Sequence, residues 1–403
     1  EQSKSRYVRL ADRAAALYVP VVHTLALTTF AAWYFILDAG LRASVMNAVA
    51  LLIITCPCAL GLAAPAVQIV ATGRLFKAGV LVKSGDALER LAEIDAVVFD
   101  KTGTLTFGKQ RLANRADISA ATLADAAALA RISRHPLSRA IVAEAGPGRA
   151  AADAAETPGE GVAGTVGGEP ARLGRAAFVG AAEADDGGQE AWFRKGDAAP
   201  IRFRFEDRLR SDAAETVRTL SELGLAVEML SGDREAAAAE AAAALGIMDW
   251  RAGLSPRAKT ECVAELAARG VKAAMIGDGL NDAPSLAGAH VSLSPGTAAD
   301  ATQAASDFVY QGEGIAPIVE AIRVSRQSRR RMMENFGFAV LYNACAVPLA
   351  ALGLVTPLIA AIAMSGSSLI VTLNALHIRN EQTRRGERQS RPDRVTDMRA
   401  ARP

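Results

Sequence analysis

Charge of one sign is what this sequence lacks most. Its 45 Lys and Arg nearly offset 43 Asp and Glu, for a net charge of +2. The basic excess with which nucleic-acid binders grip phosphate backbones is therefore missing, and no nucleic-acid partner is expected. Cysteine is also scarce. The four present, Cys56, Cys58, Cys262 and Cys345, are too few and too scattered for a disulfide framework. The chain starts at Glu1, without a methionine and without the pattern of a signal peptide, and reads as the carboxyl-terminal portion of something longer. Apolar residues, by contrast, make up 51% of the 403 residues, high for a soluble protein. They concentrate at the two ends, and the length allows two or three domains.

Residues 17–37 form a nearly unbroken apolar stretch, of the ~20 residues a helix needs to span a bilayer. A second follows at 45–71 after the break Asp38 to Arg42. Another pair, 336–354 and 357–378, flanks a tight turn at 353–357. Any one of these suits a buried core helix. Two close pairs with their charges at the outer ends predict four transmembrane helices instead. Lys4, Arg6, Arg9 and Arg13 precede the first pair, and Arg74, Lys77 and Lys83 follow it. The arginines of 323–331 precede the second pair, and Arg379, Arg384, Arg385 and Arg388 follow that. By the positive-inside rule, both termini and the large middle segment are cytosolic.

That middle segment alternates short β-type runs with alanine-rich helical patterns, which predicts an α/β domain. Strands are expected at 96–99, 226–230, 273–276 and 291–293. Residues 108–205 look different, with helices at 123–132 and 136–145 and a glycine-rich hairpin at 164–174. They read as a second domain inserted into the first. The tail beyond Asn380 is polar, Arg-rich and aperiodic, so disorder is expected there.

The run Asp100-Lys101-Thr102-Gly103-Thr104-Leu105-Thr106 follows the apolar stretch 96–99. An aspartate at the carboxyl end of a buried strand stands where α/β folds place reactive groups. The hydroxyls and N–H groups of Thr102, Gly103 and Thr104 suit a phosphate, and the carboxylate can take a phosphoryl group as a nucleophile. Gly277-Asp278-Gly279-Leu280-Asn281-Asp282 again places carboxylates after an apolar run. Asp278 facing Asp100 would hold Mg²⁺, with Asn281 and Asp282 orienting them. Lys259 would offer a point charge to phosphoryl oxygens. Ser231-Gly232-Asp233 would add a hydroxyl and N–H groups. Singly, each is also an ordinary turn or surface residue.

Cys56-Pro57-Cys58 lies in the middle of the second apolar stretch. A proline there removes a backbone N–H, unwinds the helix and lets both thiols face one side. Paired thiolates in an apolar site favour a soft, low-coordinate metal such as Cu(I). Two small cysteines filling a helix interface are the plain alternative.

Taken together and in this order, these segments resemble the heavy-metal (type IB) P-type ATPases. The resemblance covers about residues 5–380. It implies an α/β haloacid-dehalogenase-like phosphorylation domain with an inserted α+β nucleotide-binding domain, plus four transmembrane helices. The implied division is a helix pair with the Cys-Pro-Cys site in 1–83 and phosphorylation domain in 84–107 and 206–316. Nucleotide-binding domain is implied in 108–205, the second helix pair in 317–380 and a disordered cytosolic tail in 381–403. Asp207 and Arg210 sit where that family re-enters the phosphorylation domain. Ser133-Arg134-His135-Pro136 with Gly159-Glu160-Gly161 resembles the family's adenine-site pair, which implies ATP. The acidic residue usual five positions before the histidine is Ala130 here. Residues 159–164 also satisfy G-x-G-x-x-G, but a dinucleotide fold is not expected, because the run follows Thr157-Pro158 instead of a strand and leads into a hairpin.

Tyr342, Asn343, Met364 and Ser368 match additional membrane residues of the family's copper subgroup. The lysine and aspartate expected of a zinc/cadmium member are absent from the third and fourth spans. The phrases at 9–13, 18–23 and 346–350 resemble copper ATPases that serve cytochrome oxidase assembly. Cys345 is either an extra sulfur on the metal path or a buried small hydrophobe, with the second expected. The resemblance implies export of Cu(I), or Ag(I), across a bacterial inner membrane, with Cu(I) supplied by a cytosolic copper chaperone. No Thr-Gly-Glu occurs, so the family's actuator domain and first membrane helices would precede residue 1. Without them, transport by these residues alone is not expected. A membrane-tethered haloacid-dehalogenase-like phosphatase would need a second carboxylate where Thr102 stands. A non-catalytic metal-binding membrane protein leaves Asp100, Lys259 and Asp278 unexplained.

Overall fold

A computed structural model of the chain describes residues 20–56, 58–182 and 189–379. The amino-terminal charges Lys4 to Arg13, the phrase at 9–13, Tyr18, Pro57 and the tail 381–403 lie outside the described residues. Two compact units emerge. One holds residues 95–306 and 311–316; the other holds the remainder.

In the first unit, five parallel strands run in the order Val291–Pro295, Ala273–Ile276, Ala96–Asp100, Ala226–Leu230, Asp249–Arg251. The strand Ala96–Asp100 is buried along its whole length, as is Ala273–Ile276. Such continuous apolar runs are what a parallel sheet covered on both faces demands. Phe99 pairs with Ile276, so Asp100 stands level with the turn that opens at Gly277. Asp100 in turn pairs with Leu230, next to Ser231. Register alone thus gathers three of the expected segments at one sheet edge. The helix Pro256–Ala268 begins with proline in its first turn, and Ser255 Oγ caps it by accepting from Ala258 N at 3.2 Å.

The strand Thr106–Leu112 leaves that edge and enters a six-stranded antiparallel sheet. Its order is Thr106–Leu112, Ile201–Leu209, Gln189–Lys195, Glu169–Gly174, Gly161–Val166, Ala155–Thr157. Phe203, Phe193 and Phe205 on this sheet bury against Leu129 and Ile141 of two helices. The first of these, Ala120–Ala130, starts before the expected residue 123 because Ser119 caps it, accepting from Thr122 N at 3.1 Å. The second is Pro136–Ala145. One expectation is corrected: a short strand, Ala155–Thr157, does precede Gly159. It pairs antiparallel with Gly161–Val166, so the glycines form a hairpin tip and no strand-to-helix phosphate turn arises.

The second unit is largely helical. Pro20–Ile36, Gly40–Ile54, Cys58–Lys77 and Pro357–Leu376 are apolar helices, and Ala316–Ala351 continues into this unit from a charged start. The stretch 45–71, expected as a single span, is two helices. The break falls at the Cys-Pro-Cys run, where the Thr55 and Cys56 N–H groups still bond back to Leu51 O and Ile53 O at 3.1 and 3.3 Å. Among the described residues, only Pro357–Leu376 is long and apolar enough to cross a membrane by length and composition. At the far end of Cys58–Lys77, Arg74 binds Glu320 at 2.8 Å, Gln327 at 3.0 Å and the Ile378 carbonyl. Trp33 Nε1 donates to Ala351 O at 3.0 Å and lies against the turn at Gly353. Cys345 is exposed, not the buried small hydrophobe expected, because it falls on an outer face of its helix.

Phe203 is fully buried at the centre of the antiparallel sheet's core. Phe203→Ala should destabilise the protein by about 3–5 kcal/mol. A denaturant melt followed by tryptophan fluorescence checks this.

Candidate active site

Asp100 ends its strand 4% exposed, and Lys259 and Asp282 beside it are equally enclosed. Lys259 Nζ bonds to Asp100 Oδ1 and, at 2.9 Å, to Asp282 Oδ1. Asp100, Asp278 and Asp282 each offer a carboxylate oxygen, all within 4.8 Å of one another. Two buried carboxylates and the half-buried Asp278 face the Lys259 ammonium, with the Arg210 guanidinium also acting on Asp278, so negative charge outnumbers positive in the cluster. Burial and then repulsion from Asp282 push Asp100 up to about 7, against the pull of Lys259. The same two causes push Asp278 up to about 6. Burial opposes the charge on Lys259, but Asp100 and Asp282 outweigh it and raise its pKa. A divalent cation with oxygen preference fits this donor set on its chemistry.

The loop after Asp100 is held from several sides. Gly103 has φ +74°, and a Cβ there would overlap the Asp278 carboxylate. Only glycine admits both the left-handed backbone and that close approach. Arg210 Nη2 donates to Gly103 O at 2.7 Å, its Nε to Thr104 O at 2.8 Å, and its Nη1 to Glu313 O. Thr106 Oγ1 accepts from Gly103 N at 3.0 Å and donates to Asp207 Oδ2 at 2.6 Å. Burial raises the pKa of Asp207, with the Thr106 hydrogen bond opposing.

Other expected residues divide. Lys101 is buried and ion-paired with Asp233. Ser231 is fully buried, and its Oγ accepts from Asp233 N at 3.1 Å. Thr104 is buried with no hydrogen-bond partner for its Oγ1. Thr102 and Asn281 are exposed. Asp282, expected only to orient the others, sits inside the charged cluster because the turn Leu280–Asp282 folds it back, where Gly279 N donates to its Oδ2 at 3.3 Å. Arg210 and Thr106 carry the loop, yet neither was expected to have a role at the site. Their partners are carbonyls and a carboxylate about a hundred residues away, and no local pattern signals that.

In the antiparallel domain, His135 is exposed and caps Pro136–Ala145, with Nδ1 accepting from Leu137 N at 3.3 Å. Ser133 Oγ accepts from His135 N at 3.1 Å and bonds to Glu156 Oε1 at 2.5 Å. That bond brings the Ser133–Pro136 turn to the edge strand leading into Gly159. Gly161 has no room for a Cβ against Leu173 O and Gly174 Cα.

In the helical unit, Tyr342 packs against an apolar cluster that includes Leu51 and Ile54, and its buried hydroxyl has no hydrogen-bond partner. Asn343 Nδ2 donates to Ala339 O at 2.9 Å. Met364 and Ser368 are half-buried one turn apart. The side chain of Cys58 lies outside what the structure describes.

Residues 94–290 match a family model described as haloacid dehalogenase-like hydrolase. The nitrogen fixation protein FixI of Rhizobium meliloti (strain 1021) is 49% identical over 94% of this chain and 50% of its own length. A probable copper-exporting P-type ATPase V of Mycobacterium tuberculosis (strain CDC 1551 / Oshkosh) is 39% identical over 93% of this chain and 52% of its own. A solved zinc-transporting PIB-type ATPase in the E2.Pi state superposes with TM-score 0.77 at 29% identity, covering 93% of this chain and 66% of that one. The catalytic domain of the CPx-ATPase CopB-B gives TM-score 0.51 at 27% identity, covering 63% of this chain and 98% of that one. The chain spans about half the length of the curated relatives it matches.

Gly103→Ala should cost about 1–3 kcal/mol in backbone strain alone and displace Asp278. An unshifted denaturant midpoint would contradict this geometry.

Proposed function

This chain belongs to the heavy-metal branch of the P-type ATPases, and from that premise we propose that it forms the carboxyl-terminal half of a Cu(I) exporter driven by ATP through an aspartyl phosphate. The observation that carries this is the buried cluster of Asp100, Lys259, Asp278 and Asp282 at the sheet edge. An Asp100 carboxylate oxygen attacks the γ-phosphorus of ATP, and the bond to the bridging oxygen breaks to release ADP. Asp100, Thr102 and Asp278 would hold Mg²⁺, with Asp282 beside them, and that ion would neutralise charge on the phosphoryl oxygens. Lys259 holds Asp100 in place and supplies a cation to the transferred group. Lys101, Thr104, Ser231, Asp233 and Asn281 line or brace the same edge. Arg210 and the Thr106–Asp207 pair keep the loop from moving with its phosphate. Thr102 stands where a phosphatase of this fold would need a general acid, which favours storage of the phosphate over its rapid hydrolysis.

Ser133, His135, Pro136, Gly159 and Gly161 would receive the adenine, their turn and hairpin being joined through Ser133 and Glu156. Cys56 and Cys58 would bind cytosolic Cu(I) delivered by a copper chaperone, with Tyr342, Asn343, Met364 and Ser368 along its path. Phosphorylation would switch the site to face outward. The four apolar segments would cross a bacterial inner membrane with the catalytic domains in the cytosol. The actuator domain and further helices would come from the part of the protein outside this sequence.

Two variants test the reading in the full-length protein. Asp100→Asn should abolish acid-stable labelling by γ-labelled ATP, and retained label would remove Asp100 as nucleophile. Cys56→Ser combined with Cys58→Ser should eliminate copper-stimulated ATP hydrolysis while labelling by inorganic phosphate persists.

A further inference from the structure

Asn335 is 2% exposed, in the apolar interior of the helical unit, and is one of its most enclosed polar side chains. It lies on Ala316–Ala351, yet its Nδ2 points to two other helices, 3.4 Å from Ala63 O on Cys58–Lys77 and 3.4 Å from Val371 O on Pro357–Leu376. Its Oδ1 accepts from Asn374 Nδ2 at 2.9 Å. Asn374 is held in turn by Glu334 and Arg331, both at 3.3 Å, and Arg331 binds Glu334 at 2.8 Å. Around this amide the same helices close with small and apolar residues, Ala63, Ala339 and Val371.

The spacing of these contacts is the informative part. Ala63 lies seven residues after Cys56, Asn335 seven before Tyr342, and Val371 seven after Met364. Within Ala316–Ala351 and within Pro357–Leu376 seven residues are two turns, ~10 Å of helix, whereas Cys56 lies just before the helix that starts at Cys58 and carries Ala63. The three helices alternate in direction along the chain, so each offset points the same way, toward the ends carrying Arg74, Arg331 and Arg379. One amide thus pins three helices at a common level, two turns from Tyr342 and from Met364 on their own helices and five residues past Cys58 on the third. A buried amide in an apolar bundle is retained at a cost in desolvation unless its hydrogen bonds hold something in register.

We infer that Asn335 is a positioning residue for the metal: through Ala63 O, Val371 O and Asn374 it sets the helix register that brings Cys56, Tyr342 and Met364 to one depth. This inference rests on the copper reading above. An apolar side chain of similar volume fills the space but cannot hold the register, whereas a packing role would be met by volume alone.

The test uses the full-length protein, with Cu(I) as the probe. Asn335→Leu and Asn335→Ala should each raise the Cu(I) concentration for half-maximal ATPase stimulation by about tenfold. The KM for ATP should stay unchanged, and X-ray absorption should show altered copper–sulfur coordination. Asn374→Leu, which removes the donor to Asn335, should shift copper affinity in the same direction and keeps the test alive if the Asn335 variants do not accumulate. Wild-type copper affinity and coordination in Asn335→Leu would overturn the inference. Failure of the wild-type protein itself to bind Cu(I) would instead overturn the copper reading, and the inference with it.

Discussion

The catalytic unit depends on placing three carboxylates, two buried and one half-buried, at one corner with the Lys259 ammonium bonded to two of them. Such a cluster is unfavourable without added positive charge, and burial magnifies the imbalance. Lys259 bridges Asp100 and Asp282, and burial, with repulsion from Asp282, raises the pKa values of Asp100 and Asp278. Such an oxygen-rich donor set suits the divalent cation that the proposed phosphoryl transfer would use. The parallel register that sets Asp100 beside the turn at Gly277 is what makes the cluster possible.

Rigidity is the second requirement. A nucleophile that stores a phosphate must not carry its loop along when the charge arrives. Arg210 binds the carbonyls of Gly103 and Thr104 and also that of Glu313. Asp212, two residues on, accepts from the N–H groups of Ile315 and Ala316 at 2.7 and 2.8 Å. The loop after Asp100 and Ala316 are therefore both bonded to the short segment 210–212. The helical unit also uses buried polar side chains between helices, where Asn335 bonds to Ala63 O, Val371 O and Asn374.

Much of this was readable from residues alone. The runs at 96–99 and 273–276 are apolar without interruption, as strands buried on both faces must be, and a carboxylate follows each within two residues. Pro136 after His135 marks a helix start, and the helix is Pro136–Ala145. What stayed hidden depends on distant partners or on helix phase. Asp282 reads as an outlying residue until the turn Leu280–Asp282 folds it onto Lys259. Arg210 reads only as marking re-entry into the phosphorylation domain, because the carbonyls it binds leave no trace in sequence. Cys345 looks buried from its apolar neighbours, yet the phase of its helix turns it outward. The break in 45–71 was expected at Pro57, but apolarity alone did not reveal two separate helices on either side of it.

The central claim is that a stored aspartyl phosphate serves movement of a soft metal ion. ATP turnover by the full-length protein, titrated in parallel with Cu(I), Ag(I) and Zn(II), tests it most directly. The account predicts stimulation by Cu(I) and Ag(I) and none by Zn(II). Stimulation by Zn(II) alone, or turnover indifferent to all three, would contradict it.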